Sequence, residues 1–226
     1  MADLEVLYED NHTIVVNKHS GDIVQGDKTG DEPLSESIKH YLKEKYNKPG
    51  NVFCGVVHRL DRPTSGALLF ARTSKALSRL NEQFRTKDVE KVYWAVVENK
   101  PPKVEDTLIH YLKRNEKQNK SYAHEEDLPG AKRSVLHYKL ISESERYFLM
   151  EITLETGRHH QIRAQLASIG CVIKGDLKYG AKRSNKDGSI HLHARKLTFI
   201  HPTTKETITV VAPVPDDNLW QSIQPK

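Results

Sequence analysis

Short apolar runs rich in β-branched and aromatic residues recur along this chain, and they constrain its fold more than any other feature. Turn-forming residues such as Gly, Pro, Asn and Asp separate successive runs, which is typical of strands. The pattern predicts strands in LEVLYEDNHTIVVNKHSG (two strands joined by the turn EDNH), VFCGVVHRLD, GALLFART, EKVYWAVVE, SVLHYKLISES, YFLMEITLETG, HLHARKLTFI and ETITVVA. A chain dominated by such runs must fold around a sheet.

Helical spacing of apolar residues is confined to about three segments. It predicts helices over residues 33–48, over residues 75–85 after Ser74 as N-cap, and over residues 159–169. No repeat or linker interrupts the chain, so we expect one domain spanning residues 1–226. The fold class is therefore α+β, with a mixed, mainly antiparallel sheet and flanking helices. Residues 101–132, polar and rich in lysine, are expected to form a long exposed hairpin or loop.

Composition excludes several classes of protein. The 226 residues are 37% hydrophobic and 29% charged, as in a soluble globular protein, and the net charge of +5 is compatible with a polyanionic partner. No apolar run reaches the ~18 residues that a membrane span requires, and the N-terminus is acidic where a secretory signal is basic. We therefore expect a cytoplasmic protein without membrane contact. The two cysteines, Cys54 and Cys171, are expected to be buried thiols rather than a disulfide or metal ligands.

The stretch HRLDRPTSG, residues 58–66, places an acid between two arginines at the end of a predicted strand. Strand alternation would put Val57, Arg59 and Asp61 on one face. Nearby cations lower the pKa of a carboxyl group, so Asp61 is available as a nucleophile or base. The alternative is a structural ion pair that holds the turn in place. This stretch by itself leaves both interpretations open.

The stretch LETGRHHQIRAQLASIG, residues 154–170, is the second dense cluster of polar groups. Arg158 and two histidines would stand in the first turn of the predicted helix, where cations oppose the macrodipole. Such a departure from local preference suggests capture of an anion, for which backbone N–H groups and arginines are suited. Arg163 would lie half-buried one turn further along and would need a carboxylate partner. Asp61 is one candidate for that partner.

Other kinds of site lack support in the sequence. The pairs HH at 159–160 and HLH at 191–193 have no third ligand at a convincing spacing, so packing and hydrogen bonding are the favoured roles of these histidines. No glycine-rich phosphate loop and no Gly-x-Ser-x-Gly elbow is present. We therefore predict no metal site, no nucleotide cofactor and no serine nucleophile.

Taken together, the motifs resemble those of the RluA-type pseudouridine synthases along nearly the whole chain. The segments that carry the resemblance are VLYEDNHTIVVNKHSG, HRLDRPTSGALLFA, KVYWAVV, LETGRHHQIRAQLASIGCVIKGDLKYG and LHARKLTFIHP. The resemblance implies the pseudouridine synthase fold and an isomerase that acts on a uridine within RNA. Such an enzyme breaks the bond from the uracil nitrogen to the ribose, rotates the base and rejoins it through carbon 5, without cofactor or metal.

By resemblance, three residues are the catalytic group. Asp61 is the catalytic nucleophile, whether it attacks the anomeric carbon or first helps to form a glycal. Arg163 pairs with that aspartate, and Tyr93 stacks on the target base. Extrusion of a base from its stack costs a few kcal/mol, which a stacking aromatic and a cation in the vacated position would offset.

Four further residues are the candidates for RNA contact. Arg59 is the arginine that fills the gap left by the flipped nucleotide. Arg158 and Lys18 are expected to make phosphate or structural contacts. Arg62 stands in the same motif, and a solvent-facing charge is its alternative role.

The resemblance also implies a partner, a stem-loop of tRNA or ribosomal RNA. Many relatives carry a small RNA-binding domain before the catalytic one, whereas here we expect the catalytic domain with no separate N-terminal RNA-binding domain. A monomer is the default expectation. The basic segment 113–133 is the candidate for target selection. Three positions depart from the family's pattern: His19 and Val172 stand where proline is usual, and Gln165 stands where histidine is usual. Two other functions stay open: a non-catalytic RNA-binding protein of the same fold, and a nucleoside or glycoside hydrolase, for which no second carboxylate stands at a recognisable position.

Overall fold

The computed structural model describes residues 4–26 and 30–225 and divides into two compact units. Each unit has its own buried apolar side chains. The first unit takes in the described residues of Met1–Glu90 together with Ala194–Pro213, and the second those of Lys91–His193 and Val214–Lys226. The single catalytic domain expected from the sequence stays a prediction beside this division.

The first unit is built on a sheet with the strand order β1-β2-β4-β10-β11, in which the short strand β3 also pairs with β4. The pairs β1–β2, β2–β4, β3–β4 and β10–β11 are antiparallel. Its elements are β1 (Val6–Glu9), β2 (Thr13–Lys18), α1 (Leu34–Lys45), β3 (Gly55–Val56), β4 (Ser65–Ala71), α2 (Ser74–Thr86), β10 (Leu192–Ile200, from Ala194 onward) and β11 (Thr207–Val211).

All residues of strand β4 are buried, as its apolar run predicts, which indicates a central position in this unit. Leu69 of β4 and Leu80 of α2 belong to one hydrophobic cluster with Phe199 of β10. The turn between β1 and β2 is closed by Asp10, whose Oδ1 accepts hydrogen bonds from the backbone N–H of His12 and Thr13, both at 2.7 Å. An aspartate that binds the backbone in this way is the expected chemistry of such a turn.

Two local predictions in this unit are wrong. The N-cap of α2 is Thr73 rather than Ser74: Thr73 is extended and its Oγ1 accepts from the N–H of Ala76 at 3.1 Å. The strand expected to run through VFCGVVHRLD ends at Val56. Beyond it, the Nε2 of His58 accepts the N–H of Leu69 at 3.1 Å, so a side chain replaces the backbone partner that would have continued the ladder.

The second unit has the strand order β5-β9-β8-β6-β7, and each of these neighbouring pairs is antiparallel. The α+β class with a mainly antiparallel sheet is therefore confirmed. The elements are β5 (Glu90–Val97, from Lys91 onward), β6 (Glu105–Asn115), β7 (Lys120–His124), β8 (Lys132–Glu143), β9 (Phe148–Leu154), α3 (Gln161–Ser168), a 3-10 turn (Leu177–Tyr179) and α4 (Asn218–Ile223).

Helix α3 begins at Gln161, later than predicted. His160 precedes it with φ of 54° in the left-handed region, and no side chain caps the helix. Arg158 and His159 therefore stand before the helix and not in its first turn. Among the described residues there are four α-helices instead of about three, because α4 was not predicted; Asp217 caps it by accepting from the N–H groups of Leu219 and Trp220.

None of the helices within the described ranges has the length and apolar character that crossing a bilayer requires.

Candidate active site

Asp61 opens a tight turn in the first unit, between the end of β3 and the start of β4. Its carbonyl oxygen accepts a hydrogen bond from the N–H of Thr64 at 3.0 Å, which closes the turn through Arg62 and Pro63. Asp61 is half-buried, whereas Thr64 and Ser65 are buried. The turn thus joins a partly solvent-accessible carboxylate to a fully buried strand.

The backbone of this turn is held by residues 18–21 of the chain. The carbonyl of Arg62 accepts from the N–H of Gly21 at 2.9 Å and from Lys18 Nζ at 3.0 Å. The carbonyl of Pro63 accepts from the hydroxyl of Ser20 at 3.3 Å, and that of Thr64 from Lys18 Nζ at 2.8 Å. We call residues 18–21 the loop cradle. Because it binds three consecutive carbonyls, it leaves the Asp61 turn little conformational freedom.

Lys18 is the centre of the loop cradle and is 0% exposed. Its third acceptor is the carbonyl of His19 at 2.9 Å, so a residue that departs from the family's usual proline takes part through its backbone. Burial lowers the pKa of Lys18 to about 8, against the opposing effect of the Asp22 and Asp61 carboxylates. Of the two roles considered for Lys18, phosphate contact and structural support, this geometry favours structural support.

Gly66 fixes the way in which the chain leaves the turn. Its φ is +116°, and a Cβ at this position would lie 2.4 Å from the carbonyl oxygen of Ala194 in β10. The left-handed region and the close approach of another backbone both require glycine here. The glycine of HRLDRPTSG therefore lets β4 and β10 pair directly behind the Asp61 turn.

The two arginines of the motif are both exposed but have different surroundings. Arg62 forms an ion pair with Asp31 at 2.8 Å, in which both side chains are about half exposed. Arg59 lines an open cavity of about 660 Å³ together with Gln25, Glu36, Cys54, His58 and neighbouring residues. The predicted shared face of Val57, Arg59 and Asp61 does not exist, because no strand runs through these residues.

Tyr93 and Arg163, the other two residues of the predicted catalytic group, belong to the second unit. Tyr93 lies on β5 opposite Ile152 of β9 and is 8% exposed. Arg163 lies in α3, where every residue from Gln161 to Leu166 is buried. The pairing of Arg163 with Asp61 stays a prediction.

Asp176 is the carboxylate that binds Arg163 within the second unit. Nε of Arg163 donates to Oδ2 of Asp176 at 2.7 Å and Nη2 donates to Oδ1 at 2.8 Å, and the side chains are 6% and 2% exposed. This bidentate arrangement fixes the plane of the guanidinium as well as its position. The guanidinium also lies over the ring of Tyr179, 5.1 Å from its centroid.

Tyr179 connects this buried ion pair to strand β7. Its hydroxyl accepts from the N–H of Ser121 at 2.9 Å, donates to the carbonyl of Ser121 at 3.0 Å, and lies 3.0 Å from Nδ1 of His160. Sequence reasoning assigned no role to Asp176 or Tyr179. Both belong to KGDLKYG, residues 174–180, which is part of the family resemblance but does not indicate which residues they contact.

Arg158 is exposed, as an RNA-contacting residue must be, and its N–H donates to Oε1 of Gln161 at 3.0 Å. Gln165, the second departure from the family's pattern, is fully buried. Its Nε2 donates to the carbonyl of Leu108 at 3.1 Å and lies 3.0 Å from Nδ1 of His110. The glutamine therefore ties α3 to β6.

The histidines and cysteines outside these motifs have structural surroundings. His191 stacks on Trp220, and Asn185 donates to its Nδ1 at 2.9 Å. Cys171 is buried as expected, whereas Cys54 is half-buried. Both are free thiols, and burial raises the pKa of Cys54 to about 12 and that of Cys171 to about 11. Over residues 4–26 and 30–225, no three His, Cys, Asp or Glu side chains are grouped so that they could hold a metal ion.

Comparison with known proteins bears on this arrangement. A family model described as RNA pseudouridylate synthase matches residues 12–168. An uncharacterized RNA pseudouridine synthase of Bacillus subtilis is 34% identical over 223 residues, covering 96% of this chain and 70% of the relative. A ribosomal large subunit pseudouridine synthase D of Zymomonas mobilis is 33% identical over 224 residues, covering 95% of this chain and 70% of that relative.

The fold itself is similar to that of a solved human structure. Human RNA pseudouridylate synthase domain containing 4 superposes with a TM-score of 0.81 at 22% identity, over 98% of this chain and 95% of that one. At this identity the likeness concerns the fold alone.

Proposed function

The chain belongs to the RluA-type family of RNA pseudouridine synthases, isomerases that convert uridine to pseudouridine in RNA, and on this premise we propose that Asp61 is its catalytic residue. The observation that carries the proposal is the loop cradle. It binds three successive carbonyls of the Asp61 turn, yet the aspartate is still half-buried rather than enclosed. A reactive carboxylate needs this combination of a fixed backbone and an accessible side chain.

The proposed reaction is an isomerisation in which no atom is gained or lost overall. The bond between C1′ of the ribose and N1 of uracil breaks, the base turns, and C1′ bonds to C5. The hydrogen on C5 leaves as a proton, and N1 takes up a proton. Asp61 serves either as the nucleophile at C1′ or as the base that begins glycal formation; both routes begin from the ionised carboxylate.

The remaining predicted residues are part of the same proposal. Tyr93 would stack on the extruded base, and Arg163 would hold positive charge at the reacting carboxylate. Arg59, Arg158 and Arg62 are exposed and would contact the RNA backbone or the vacated stack position. Lys18 would act through the turn rather than on the RNA, because it is buried.

The proposed substrate is a uridine in a stem-loop of tRNA or ribosomal RNA, bound by a monomeric enzyme in the cytoplasm. Base flipping costs least where pairing is already weak, which favours loops and loop-closing positions. Relatives named as synthases of the large ribosomal subunit support ribosomal RNA as one of the two classes.

Two experiments test the proposal. Pseudouridine should be mapped across tRNA and ribosomal RNA from cells with and without the gene, and at least one site should lose its modification; an unchanged map would overturn the proposal. The purified Asp61→Asn protein should bind the RNA that carries this site and form no pseudouridine. Turnover by this variant would exclude Asp61 as the catalytic residue, and Asp31→Asn is the matched control because it also removes an exposed-loop carboxylate beside the motif.

A further inference from the structure

The tip of the β6–β7 hairpin concentrates positive charge. Residues 113–120 contain four cations and a single acid, Glu116; the cations are Lys113, Arg114, Lys117 and Lys120. A fifth cation, Lys178, comes from the 3-10 turn and donates to the carbonyl of Asn119 at 3.1 Å. We call these five side chains the basic tip. Three acids, Glu125, Glu126 and Asp127, follow the far end of β7, roughly 16 Å along the strand from Lys120 and roughly 10 Å from Tyr122, which pairs with Lys113.

An exposed aromatic residue lies among these cations. Tyr122 on β7 is 40% exposed and stands directly opposite Lys113 on β6. Nζ of Lys120 lies 5.2 Å from the centroid of its ring. The tyrosine hydroxyl donates to Oε1 of Gln118 at 2.5 Å, which orients the ring. An aromatic face flanked by cations is the arrangement on which proteins stack unpaired bases.

The basic tip is held in place by hydrogen bonds to His159 and Tyr179. Backbone groups of Ser121 hydrogen-bond to the hydroxyl of Tyr179, and its Oγ lies 2.9 Å from Nδ1 of His159. Tyr179 in turn lies against Arg163. A nucleic acid bound at the basic tip would therefore be held at a fixed position relative to Arg163, because Tyr179 hydrogen-bonds to Ser121 of the hairpin and its ring contacts Arg163.

We propose that the basic tip and Tyr122 form an RNA-binding surface that grips the substrate outside the reacting nucleotide. The cations bind phosphates of the strand, and Tyr122 stacks on one unpaired base. This inference rests on the proposed function, since it assigns the RNA substrate to the surface. It narrows the predicted basic segment 113–133 to residues 113–122 and Lys178, because the acidic loop at 125–127 opposes a polyanion.

Binding can be separated from turnover by using Asp61→Asn protein throughout, with a synthetic RNA stem-loop that has unpaired uridines in its loop as the probe. Lys113→Gln/Lys117→Gln should lower the affinity for RNA, and the negative slope of log K against log salt should become shallower by about 1–2. The matched control is Lys100→Gln/Lys103→Gln, which removes the same charge at the other end of β6, where each lysine forms only an exposed ion pair. Equal losses of RNA affinity in the two double variants would overturn the proposal. An acidic protein would then be the alternative partner of the basic tip.

The stacking contact needs a second comparison. Tyr122→Leu should weaken binding about fivefold or more, whereas Tyr122→Phe should stay within about twofold, since the ring and not the hydroxyl meets the base. Similar affinity of the leucine variant and the parent protein would remove Tyr122 from the surface. If the wild-type enzyme formed no pseudouridine, the proposed function would fail, but these binding measurements would still decide whether the basic tip holds RNA.

Discussion

Arg163 and Asp176 form a buried, bidentate ion pair, with N–O distances of 2.7 and 2.8 Å and no more than 6% of either side chain exposed. Asp176 thereby determines the orientation of an arginine for which sequence motifs suggest a catalytic role. If Arg163 acts in catalysis, Asp176 is a positioning residue, because its contact is to Arg163.

Removal of Asp176 should strongly destabilise the second unit. Asp176→Ala leaves a buried guanidinium without its partner, which costs about 3–5 kcal/mol of unfolding free energy. Denaturant titration measures the loss, and the double variant Arg163→Leu/Asp176→Ala should recover part of it because no buried charge then stays unpaired. A double variant less stable than Asp176→Ala would contradict this interpretation. A second variant, Asp176→Asn, separates a positioning role from a structural one. If Asp176 positions Arg163, the pH profile of kcat should shift in this variant; if its role is only structural, the profile should stay unchanged.

Lys18 should make the stability of the protein increase with pH in the alkaline range. Its pKa is about 8 in the folded protein and 10.5 when unperturbed, so between these values the unfolded chain binds more protons than the folded one. Stability therefore rises as pH increases from about 8 to about 10.5, by at most about 3 kcal/mol. Unfolding curves at several pH values should show this rise in the wild type and not in Lys18→Met. An identical pH dependence in both proteins would contradict the assignment.

The same substitution should affect catalysis more than binding. Lys18→Met removes the lysine donor from the carbonyls of Arg62 and Thr64. The Arg62 carbonyl keeps the N–H of Gly21, so the cost of about 1–3 kcal/mol for an unsatisfied group falls on the Thr64 carbonyl and loosens the Asp61 turn. We expect kcat to fall while the affinity for RNA is retained, as single-turnover assays and equilibrium binding can show. A loss confined to RNA affinity would instead support direct phosphate contact by Lys18.

Gly66 should tolerate no side chain. Gly66→Ala combines a strained φ of +116° with a Cβ only 2.4 Å from the carbonyl oxygen of Ala194. Strain and overpacking each cost about 1–3 kcal/mol, so their sum should be evident in thermal unfolding. Gly21→Ala is the matched control, because its φ is +96° but no atom lies within 4 Å of the added Cβ. A smaller loss at Gly66 than at Gly21 would show that the approach of β10 is not the constraint.

Tyr179 should stabilise β7 locally through its hydroxyl. Tyr179→Phe removes both hydrogen bonds to the backbone of Ser121, so amide exchange at Ser121 should accelerate while the overall unfolding free energy falls by about 1–3 kcal/mol. Tyr122→Phe is the control, since its hydroxyl binds only the exposed Gln118 side chain. Unchanged exchange at Ser121 would mean that Tyr179 does not brace the hairpin.

Local patterns in the sequence were sufficient for the elements that depend on near neighbours. The alternation in EKVYWAVV, the uninterrupted apolar run of β4 and the helical spacing of Leu34, Ile38 and Leu42 correspond to β5, β4 and α1. The prediction of Ser74 as N-cap and the predicted start of α3 were wrong, because backbone angles of one or two residues decide them.

The composition of the motifs was also sufficient to identify the family and to predict Asp61 as its reactive aspartate, because HRLDRPTSG and TGRHHQIR contain the chemical groups themselves. Only the tertiary structure decided how those groups are supported. The sequence contained no indication that Lys18 would donate to carbonyls 44 and 46 positions away, that Asp176 would bind Arg163, or that Tyr179 would reach Ser121. The physical reason is that a hydrogen bond between residues distant in the chain depends on where the sheet and helices bring them. The periodicity of one segment does not indicate which other segment packs against it.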